Sequence, residues 1–509
     1  MALADVTPSA FVQSLAAAAA GDETVAAWYR DAGYVTLWTS EKDAARREAL
    51  FTALATASDH GLPDSRYDAA GLKAAFAAAN TEADRGRLEL RMTETYLRWA
   101  RDLTSGMLQP AKVDPSIVRD IAVLDQAQLL TQIATGDPVH ALRMLLPQSE
   151  VYAQLMKAKI GLEIQIATGG WGAEVPAKAL APGDTGPAVV ALRDRMIAMG
   201  YLGRSITGTY DRSLQTAVQA FQLANGLSAD GVAGPGTMAQ INTPARERLK
   251  SIIVAMERER WMHIDRSTRY VWVNQPDFMA KIIDGGRTVF STRVVIGKDV
   301  PDQRSPEFSD EMEHMVINPS WGVPRSITVK EYLPLLQRNP NAVGHLQVVD
   351  RRGKVVSRGA VNFAAYTAKT FPFALRQPPS DGNALGKVKF MFPNKYNIYL
   401  HDTPSKSLFA NDVRAYSHGC IRVADPFDLA HAVLSVQSTD AEAEFDAALK
   451  TGRETMVKLK ATLPVHLVYF TAYPDAKGRI GYRRDVYGRD AKLWQALDAA
   501  GVALPADQG

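Results

Sequence analysis

Ser417-His418-Gly419-Cys420-Ile421-Arg422-Val423 contains the only cysteine among the 509 residues of the chain. A second histidine lies upstream, in Tyr399-Leu400-His401-Asp402-Thr403-Pro404. An isolated cysteine is most often a small buried apolar residue. Here it follows a compact polar Ser-His-Gly stretch, and a lone cysteine with histidines elsewhere is a candidate nucleophile. These residues favour a cysteine acyl-transfer site.

The flanking sequence predicts that both reactive segments lie at the ends of regular elements. Residues 397–401 predict a strand that ends at His401. Asp425 followed by Pro426 predicts a helix N-cap and first helical position. Loops at the ends of such elements commonly carry catalytic groups. The apolar face predicted for the helix is Leu429, Ala430, Val433 and Leu434.

Zinc coordination is the main alternative for this cluster. His401, Asp402, His418 and Cys420 could in principle offer four ligands. No C-x-x-C or H-E-x-x-H spacing accompanies them, and adjacent His and Asp side chains suit a shared chelate poorly. The sequence therefore favours a thiol nucleophile that needs no cofactor and no metal.

Composition restricts the class of protein. The chain has 58 Lys and Arg against 55 Asp and Glu, a formal net charge of +3, and its basic residues are scattered. This argues against a nucleic-acid partner. The first five residues lack the basic start and apolar run of a signal peptide, and no segment is long enough to span a membrane. We therefore expect either a cytoplasmic protein or a mature chain with a new start methionine.

Changes in composition and in the spacing of apolar residues divide the chain into domains. Residues 1–181, rich in Ala and Leu at helical spacing, predict an α-helical N-terminal domain. Residues 182–245 predict three short helices around one small core. Residues 246–490 carry strand patterns, and residues 491–509 form a C-terminal helix or tail. The prediction is a multidomain α+β protein with a mostly β catalytic domain.

Two segments of the β region receive specific predictions. Residues 465–473 predict a single strand. The proline-containing insert at about 324–386 is too long for an ordinary connection, so we expect a lid or capping subdomain beside the site. A peripheral decoration is the alternative.

The motifs of this chain resemble two known families. H-D-T-P at 401–404 and S-H-G-C-I-R-V at 417–423 resemble the L,D-transpeptidase catalytic (YkuD) domain. Residues 182–242 resemble a peptidoglycan-binding domain, through G-D-x-G-x-x-V-x-x-L and G-L-x-x-D-G-x-x-G-x-x-T. A helical spacer that has lost its ligand is the alternative for this unit.

Further strings are similar to the large, multidomain periplasmic subgroup of that family. Many relatives have His-Gly where this chain has His401-Asp402, and the large subgroup accepts Asp at this place. The strings are N-P-S-W-G-V-P at 318–324, R-Q-P-P at 376–379, N-A-L-G at 383–386 and W-Y-R at 28–30.

The resemblance implies a role for each residue of the two catalytic motifs. Cys420 is the nucleophile, and His401 is the base, oriented by the carbonyl of Asp402. His418 and the backbone N–H groups of Gly419 and Cys420 stabilise the oxyanion. A nearby imidazole can also take the thiol proton, so a thiolate–imidazolium pair is expected.

Four further residues are candidates for binding substrate. Arg422 is placed to pair with a substrate carboxylate, and Arg414 is a second candidate. Either arginine could instead form a structural salt bridge. Trp321 lines the substrate groove or fills core. Ser417, in the cysteine motif itself, is the fourth.

The implied reaction is acyl transfer on peptidoglycan. Cys420 attacks the third residue of a tetrapeptide stem, diaminopimelate, and expels D-Ala, and the amine of another stem then forms a diaminopimelate–diaminopimelate cross-link. Two alternatives remain: water resolves the thioester, as in an L,D-carboxypeptidase, or the protein is a catalytically silent wall-binding scaffold.

The resemblance also implies partners and a compartment. The expected partners are peptidoglycan stem peptides and glycan, other cell-wall synthesis proteins, and carbapenems that add covalently to Cys420. Because the resemblance implies action on the cell wall, and so an effect on cell shape, we expect the chain to lie in the periplasm, with its signal peptide already removed.

Overall fold

Two units share the chain in this computed structural model, which describes residues 8–504. One unit comprises Met1–Ile264 with Phe470–Gly509, and the other is Asp265–Tyr469. The start sequence that bears on a signal peptide, and the last residues of the predicted tail, lie outside the described residues. No helix within residues 8–504 is both long and apolar enough to cross a membrane.

Side-chain caps start the helices of the N-terminal region. The Ser9 hydroxyl accepts the Val12 N–H, and a capping box between Thr81 and Asp84 starts a 24-residue helix that carries the buried Trp99. This region is helical, as the sequence predicts. Its helices are α1 (Ala10–Ala19), α2 (Glu23–Asp31), α3 (Ala44–Ala55), α4 (Ala69–Ala78), α5 (Glu82–Ser105), α6 (Pro110–Val113), α7 (Gln126–Thr135), α8 (Pro138–Met144) and α9 (Glu150–Ala167).

Three short helices then enclose one small core, as predicted for this stretch. The first and third begin with a proline at their first position, where the missing N–H is harmless. They are α10 (Pro187–Ala198), α11 (Arg212–Ala224) and α12 (Pro235–Ile241). The core includes Val189, Leu192, Met196, Leu214, Val218 and Phe221.

The helix after this core and the end of the chain belong to the same unit. Helix α13 (Ala245–Arg260) packs against α9 and against the last helix. We predicted a β domain over 246–490, whereas the compact β unit is Asp265–Tyr469, because these flanking segments pack on helices.

The β unit contains thirteen strands and four α-helices among its described residues. Strand and helix bounds follow in chain order: β1 (Tyr270–Asn274), β2 (Met279–Asp284), β3 (Arg287–Gly297), β4 (Phe308–Ile317), β5 (Trp321–Gly322), α14 (Arg325–Ile327), α15 (Leu333–Arg338), β6 (Gln347–Val349), β7 (Val355–Val356), β8 (Ala374–Gln377), β9 (Val388–Met391), β10 (Leu400–His401), β11 (Ala415–Ser417), β12 (Ile421–Val423), α16 (Pro426–Leu434), α17 (Ala441–Lys450) and β13 (Thr455–Val468).

Nine of these strands form one curled sheet. Their order is β11-β3-β12-β10-β9-β4-β13-β1-β2, and β2 also pairs with β3, so the sheet closes on itself. The confirmed class is therefore multidomain α+β. Strands β9, β10 and β12 lie side by side within this sheet, and they carry the candidate site.

The insert folds as a separate subdomain on a second sheet. Strands β5, β8, β6 and β7 pair in that order. Their side chains share a core with the short helices α14 and α15. That core includes Leu336, Val348, Phe363, Phe371 and Leu375.

The predicted strand at 397–401 is too long. Only Leu400 and His401 form a strand, and Asn397 has a φ of 54°. The Asn394 side chain explains this, because its carbonyl accepts the N–H groups of Tyr396 and Ile398 and holds a tight turn.

The predicted strand at 465–473 is interrupted, so that prediction is also wrong. Strand β13 ends at Val468, and the chain resumes as β14 (Ala472–Pro474), which pairs with β15 (Ile480–Tyr482) before α18 (Arg489–Ala499). The buried Thr471 hydroxyl donates to the Asp490 carboxylate, which turns this stretch away from strand pairing.

Helix α16 begins at Pro426 behind Asp425, and its predicted apolar face is buried. The Asp425 carboxylate does not cap the helix. It instead accepts the Thr292 hydroxyl of β3 at 2.8 Å, which fixes the chain directly after the cysteine motif.

Candidate active site

The pairing of three neighbouring strands decides which side chains meet. Strand β10 runs parallel to β12, with Leu400 opposite Ile421 and His401 opposite Arg422. It runs antiparallel to β9, with His401 opposite Lys389. Because residues directly opposite each other share a face, Lys389, His401 and Arg422 lie in one row. Leu400 and Ile421 face the core and are fully buried.

Alternate residues along a strand share a face, which adds two more side chains to this row. Tyr399 precedes His401 by two residues, and Cys420 precedes Arg422 by two. Tyr399 lies near enough to Cys420 to lower the pKa of its thiol, against the effect of burial. The Tyr399 and His401 ring centroids are 5.6 Å apart. We call Lys389, Tyr399, His401, Cys420 and Arg422 the site face.

The His401 ring is held in one tautomer. Its Nδ1–H donates to the carbonyl of Asp402 at 2.5 Å, so Nε2 carries the free lone pair. Burial lowers the pKa of His401 to about 4, and the charges of Arg422 and Lys389 act in the same direction. The imidazole is therefore neutral at neutral pH and able to accept a proton.

The Cys420 thiol is half-buried, and protein atoms surround its sulfur. This burial raises the pKa of Cys420 to about 11, against the opposing effects of the nearby Tyr399 and of the Arg422 charge. The sulfur lies 3.4 Å from the Asn397 carbonyl, to which the thiol donates. No hydrogen bond joins it to His401 among the described residues. The resting site is thus a neutral thiol and a neutral imidazole, not the expected ion pair.

Serine hydroxyls hold the loop before the cysteine. The Ser417 hydroxyl donates to the Cys420 carbonyl at 2.6 Å and accepts the Gly419 N–H at 3.1 Å. The buried Ser305 hydroxyl donates to the Gly419 carbonyl at 2.6 Å. Gly419 itself has a φ of 116°, which an L side chain rarely adopts.

These contacts change what the loop can offer a substrate. Ser417, a predicted substrate residue, is 2% exposed and both of its hydrogen-bonding roles are taken within the loop. The Gly419 N–H is also taken, by Ser417. Of the two predicted backbone donors, only the Cys420 N–H lacks a partner among the described residues.

His418 points to the insert. Its Nε2–H donates to the Glu331 carboxylate at 2.7 Å, and the neighbouring Lys330 pairs with Asp302 at 2.6 Å. The insert therefore lies against the loop that carries the nucleophile, as a lid would. No hydrogen bond joins the His418 ring to Cys420 in the part of the chain that the structure describes.

Asp402 links the base to the end of the insert. Its carboxylate accepts the Lys387 N–H at 2.8 Å and pairs with Lys406 at 2.7 Å. Gly386 has a φ of 60°, and a Cβ there would lie 2.1 Å from an Asp402 oxygen. The Asp402 carboxylate thus positions neighbouring backbone, while its carbonyl orients His401.

Arg422 is the predicted substrate residue that remains available. Its guanidinium makes no hydrogen bond to any described residue, and its Nε is buried. Burial lowers the pKa of Arg422.

The other two predicted substrate residues are occupied elsewhere. Trp321 packs edge-to-face on Tyr332 within the core of the insert. Arg414 is 9% exposed, and its three guanidinium nitrogens all donate hydrogen bonds to backbone carbonyls. These are the carbonyls of Phe278, Val294 and Asn411, at 3.0, 3.2 and 2.7 Å.

Within residues 8–504, no group of three or more His, Cys, Asp or Glu side chains is arranged to hold a metal ion. His401 Nδ1, His418 Nε2 and the Asp402 carboxylate are each engaged by protein groups instead.

Sequence reasoning missed four residues of this site. Tyr399 and Lys389 follow from strand alternation and register, and the position of Tyr399 two residues before His401 was a usable signal. Glu331 and Ser305 make contacts across 87 and 114 residues of chain, and no local pattern marks them.

Three stretches of the chain match known families. Residues 268–458 match the family described as the L,D-transpeptidase catalytic domain, YkuD. Residues 23–158 match one described as a scaffold domain, and residues 185–241 match the "Putative peptidoglycan binding domain". The chain is therefore similar to YkuD L,D-transpeptidase catalytic domains over residues 268–458 and to peptidoglycan-binding domains over residues 185–241.

One curated relative comes from Haemophilus influenzae and is named "Putative L,D-transpeptidase". It is 30% identical over 242 residues, which are 47% of this chain and 48% of the relative. The match thus spans about half the length of the curated relative.

Two solved structures are similar to parts of the chain. An L,D-transpeptidase from Xylanimonas cellulosilytica has 16% identity and a TM-score of 0.19, over 58% of this chain and 100% of its own. A fused Zn-dependent amidase/peptidase/peptidoglycan-binding domain-containing protein from Clostridium acetobutylicum has 13% identity and a TM-score of 0.16, over 57% and 99%. Scores this low carry no argument about fold or function.

Proposed function

We propose that this protein is an L,D-transpeptidase that acts on peptidoglycan, with Cys420 as the nucleophile and His401 as the base. The observation that carries the proposal is the shared site face, on which a thiol, a neutral imidazole and an unpaired guanidinium lie together. The peptidoglycan-binding domain in the same chain supports peptidoglycan as the substrate.

The first half-reaction acylates the enzyme. Cys420 Sγ bonds to the carbonyl carbon of the third stem residue, and the bond from that carbon to the nitrogen of D-Ala breaks. The thiol proton passes to His401 Nε2 and then to the departing amine. Because thiol and imidazole are both neutral at rest, we expect proton transfer to accompany attack rather than precede it.

The second half-reaction transfers the acyl group. The side-chain amine of diaminopimelate on another stem attacks the thioester carbonyl, His401 takes a proton from that amine, and the thiol is restored. The new amide is a diaminopimelate–diaminopimelate cross-link. If water attacked instead, the product would be a tripeptide stem, as an L,D-carboxypeptidase would give.

The oxyanion that forms during attack needs hydrogen-bond donors, and the carboxylate of the stem needs a cation. The Cys420 N–H is the free backbone donor for the oxyanion, and Arg422 is the free cation for a stem carboxylate. His418 would join the oxyanion site only through a change at its bond to Glu331.

Such a reaction takes place outside the cytoplasmic membrane. The proposal therefore locates the protein in the periplasm, with other cell-wall synthesis proteins as partners. A strained β-lactam carbonyl is open to the same thiol attack, so carbapenems are expected to acylate Cys420.

Incubation with a disaccharide-tetrapeptide, followed by mass spectrometry, tests the proposal. Cross-linked dimer and free D-Ala are expected, and Cys420→Ala should abolish both. Tripeptide alone would support the hydrolase, and no turnover by the wild type would support the silent scaffold. Full activity in Cys420→Ala would remove Cys420 from the nucleophile's role.

A further inference from the structure

Two cations flank the proposed base in one row of the sheet. Lys389 on β9 and Arg422 on β12 are both directly opposite His401 on β10. Neighbouring strands lie about 4.8 Å apart, so the backbones of the two cations are separated by about 10 Å, with the imidazole between them.

Neither cation has a protein partner to balance it. Among residues 8–504, neither the Lys389 nor the Arg422 side chain makes a hydrogen bond or a salt bridge, and burial lowers the pKa of both. Glu454 acts on Lys389 through its charge but forms no ion pair with it, and its carboxylate accepts the Ser320 N–H. Lys389 otherwise lies 5.9 Å from the centre of the Tyr399 ring.

Two other cations of the same unit, the buried Arg414 and the exposed Lys406, do have protein partners. Arg414 has three carbonyl acceptors, and Lys406 has the Asp402 carboxylate and the Ala424 carbonyl. A desolvated cation without an acceptor is unfavourable unless something else supplies the anion. The unpaired row thus indicates a surface built to receive negative charge from outside the chain.

We propose that Lys389 and Arg422 form a two-cation subsite that binds two carboxylates of the donor stem. Arg422 takes the terminal carboxylate of the leaving residue, and Lys389 takes the side-chain carboxylate of the residue whose carbonyl is attacked. The inference rests on the proposed function, because it uses the chemistry of that donor.

The assignment of the two carboxylates follows from distance. Arg422 is two residues from Cys420 on the same face, roughly 7 Å along the strand, which suits a carboxylate one residue beyond the attacked carbonyl. A guanidinium also binds a carboxylate in bidentate fashion. Lys389 lies on the far side of His401, within reach of the longer diaminopimelate side chain.

Acylation of Cys420 by three synthetic stems tests this assignment, with intact protein mass as the readout. One tetrapeptide stem carries both carboxylates, one has its terminal carboxylate amidated, and one has its side-chain carboxylate amidated. For the wild type, either amidation should lower the acylation rate at low stem concentration by about tenfold or more.

Substitution of each cation identifies which carboxylate that cation binds. Lys389→Met should lose about tenfold with the full stem, should lose nothing further on side-chain amidation, and should still respond to terminal amidation. Arg422→Met should show the opposite pattern. For Lys389→Met the loss should appear in the stem concentration for half-maximal acylation, not in the limiting rate. Lys458→Met removes an exposed lysine from the same sheet and should behave as wild type.

Two outcomes count against the inference and can be told apart. If Lys389→Met responds to side-chain amidation as strongly as the wild type, Lys389 does not bind that carboxylate. If no stem acylates the wild type, the proposed function itself is wrong and the subsite falls with it.

Discussion

His418 Nε2 donates to the Glu331 carboxylate at 2.7 Å, and this bond joins the nucleophile loop to the insert. The two side chains are 31% and 45% exposed, so the pair adds little to stability, at most about 1 kcal/mol. Its importance lies in position. The loop that carries Cys420 is supported on one side by the insert and on the other by Ser305.

Glu331→Ala should slow acylation of Cys420 by a carbapenem by about tenfold without lowering the thermal midpoint, because the nucleophile loop loses its support from the insert. Stopped-flow acylation and thermal unfolding measure the two quantities. Lys330→Ala is the matched control, since it breaks the adjacent salt bridge to Asp302 and leaves His418 in place. Equal effects of the two substitutions would show that the His418 contact has no special role.

The raised pKa of Cys420 predicts the pH dependence of alkylation. A thiol with a pKa of about 11 holds less thiolate at every lower pH than an ordinary cysteine near 8.5. The alkylation rate of the free enzyme should therefore still rise above pH 9, whereas that of the urea-unfolded chain should level off. Tyr399→Phe should slow alkylation further, because the Tyr399 hydroxyl lowers the pKa of the thiol and so favours the thiolate. A midpoint of the alkylation rate at or below pH 8.5 would instead support a thiolate–imidazolium ion pair in the resting site.

Gly386 and Asp402 predict a strongly non-additive pair of substitutions. Gly386→Ala should lower the free energy of unfolding by about 2–4 kcal/mol, because the new Cβ meets an Asp402 oxygen at a positive φ. Asp402→Gly alone removes the bonds to Lys387 and Lys406. In the double variant the clash is gone, so the loss should be at least about 1 kcal/mol smaller than the sum of the single losses. Urea unfolding measures all three, and simple additivity would show that the loop relaxes around the clash.

Two buried histidines predict acid destabilisation of both units. The pKa of His401 and that of His60 are each lowered to about 4, chiefly by burial. Between pH 6.5 and 4 the unfolded chain binds protons that the folded chain does not, so the free energy of unfolding falls as the pH falls. Each histidine should contribute on the order of 3 kcal/mol.

Histidine-to-glutamine variants separate the two contributions. His401→Gln should flatten the pH dependence of amide exchange in the β unit, and His60→Gln should do so in the helical unit. Each substitution should leave the other unit unchanged. A wild-type slope that survives both would assign the acid sensitivity to other groups.

Local signals in the sequence predicted the local parts of this structure. The start of α16 at Pro426 depends on the adjacent residues Asp425 and Pro426, and it is present. The break after Val468 was missed because it depends on Thr471 meeting Asp490, 19 residues away.

The candidate site also has some features that the sequence predicted and others that it did not. The Cys420 and His401 motifs are visible in the sequence, but the neutrality of both groups arises from burial, which no motif encodes. The occupation of Arg414 by backbone carbonyls and the availability of Arg422 likewise depend on the folded environment of each guanidinium.

Asp402 forms hydrogen bonds both with the base and with the end of the insert. Its carbonyl holds His401 Nδ1, and its carboxylate holds the Lys387 N–H, where the insert returns to the sheet. A displacement of that return point would therefore turn the imidazole as well. The insert is consequently not an exchangeable module: a graft that replaced it with another loop would have to reproduce the backbone at Gly386 and Lys387, or it would misalign the base.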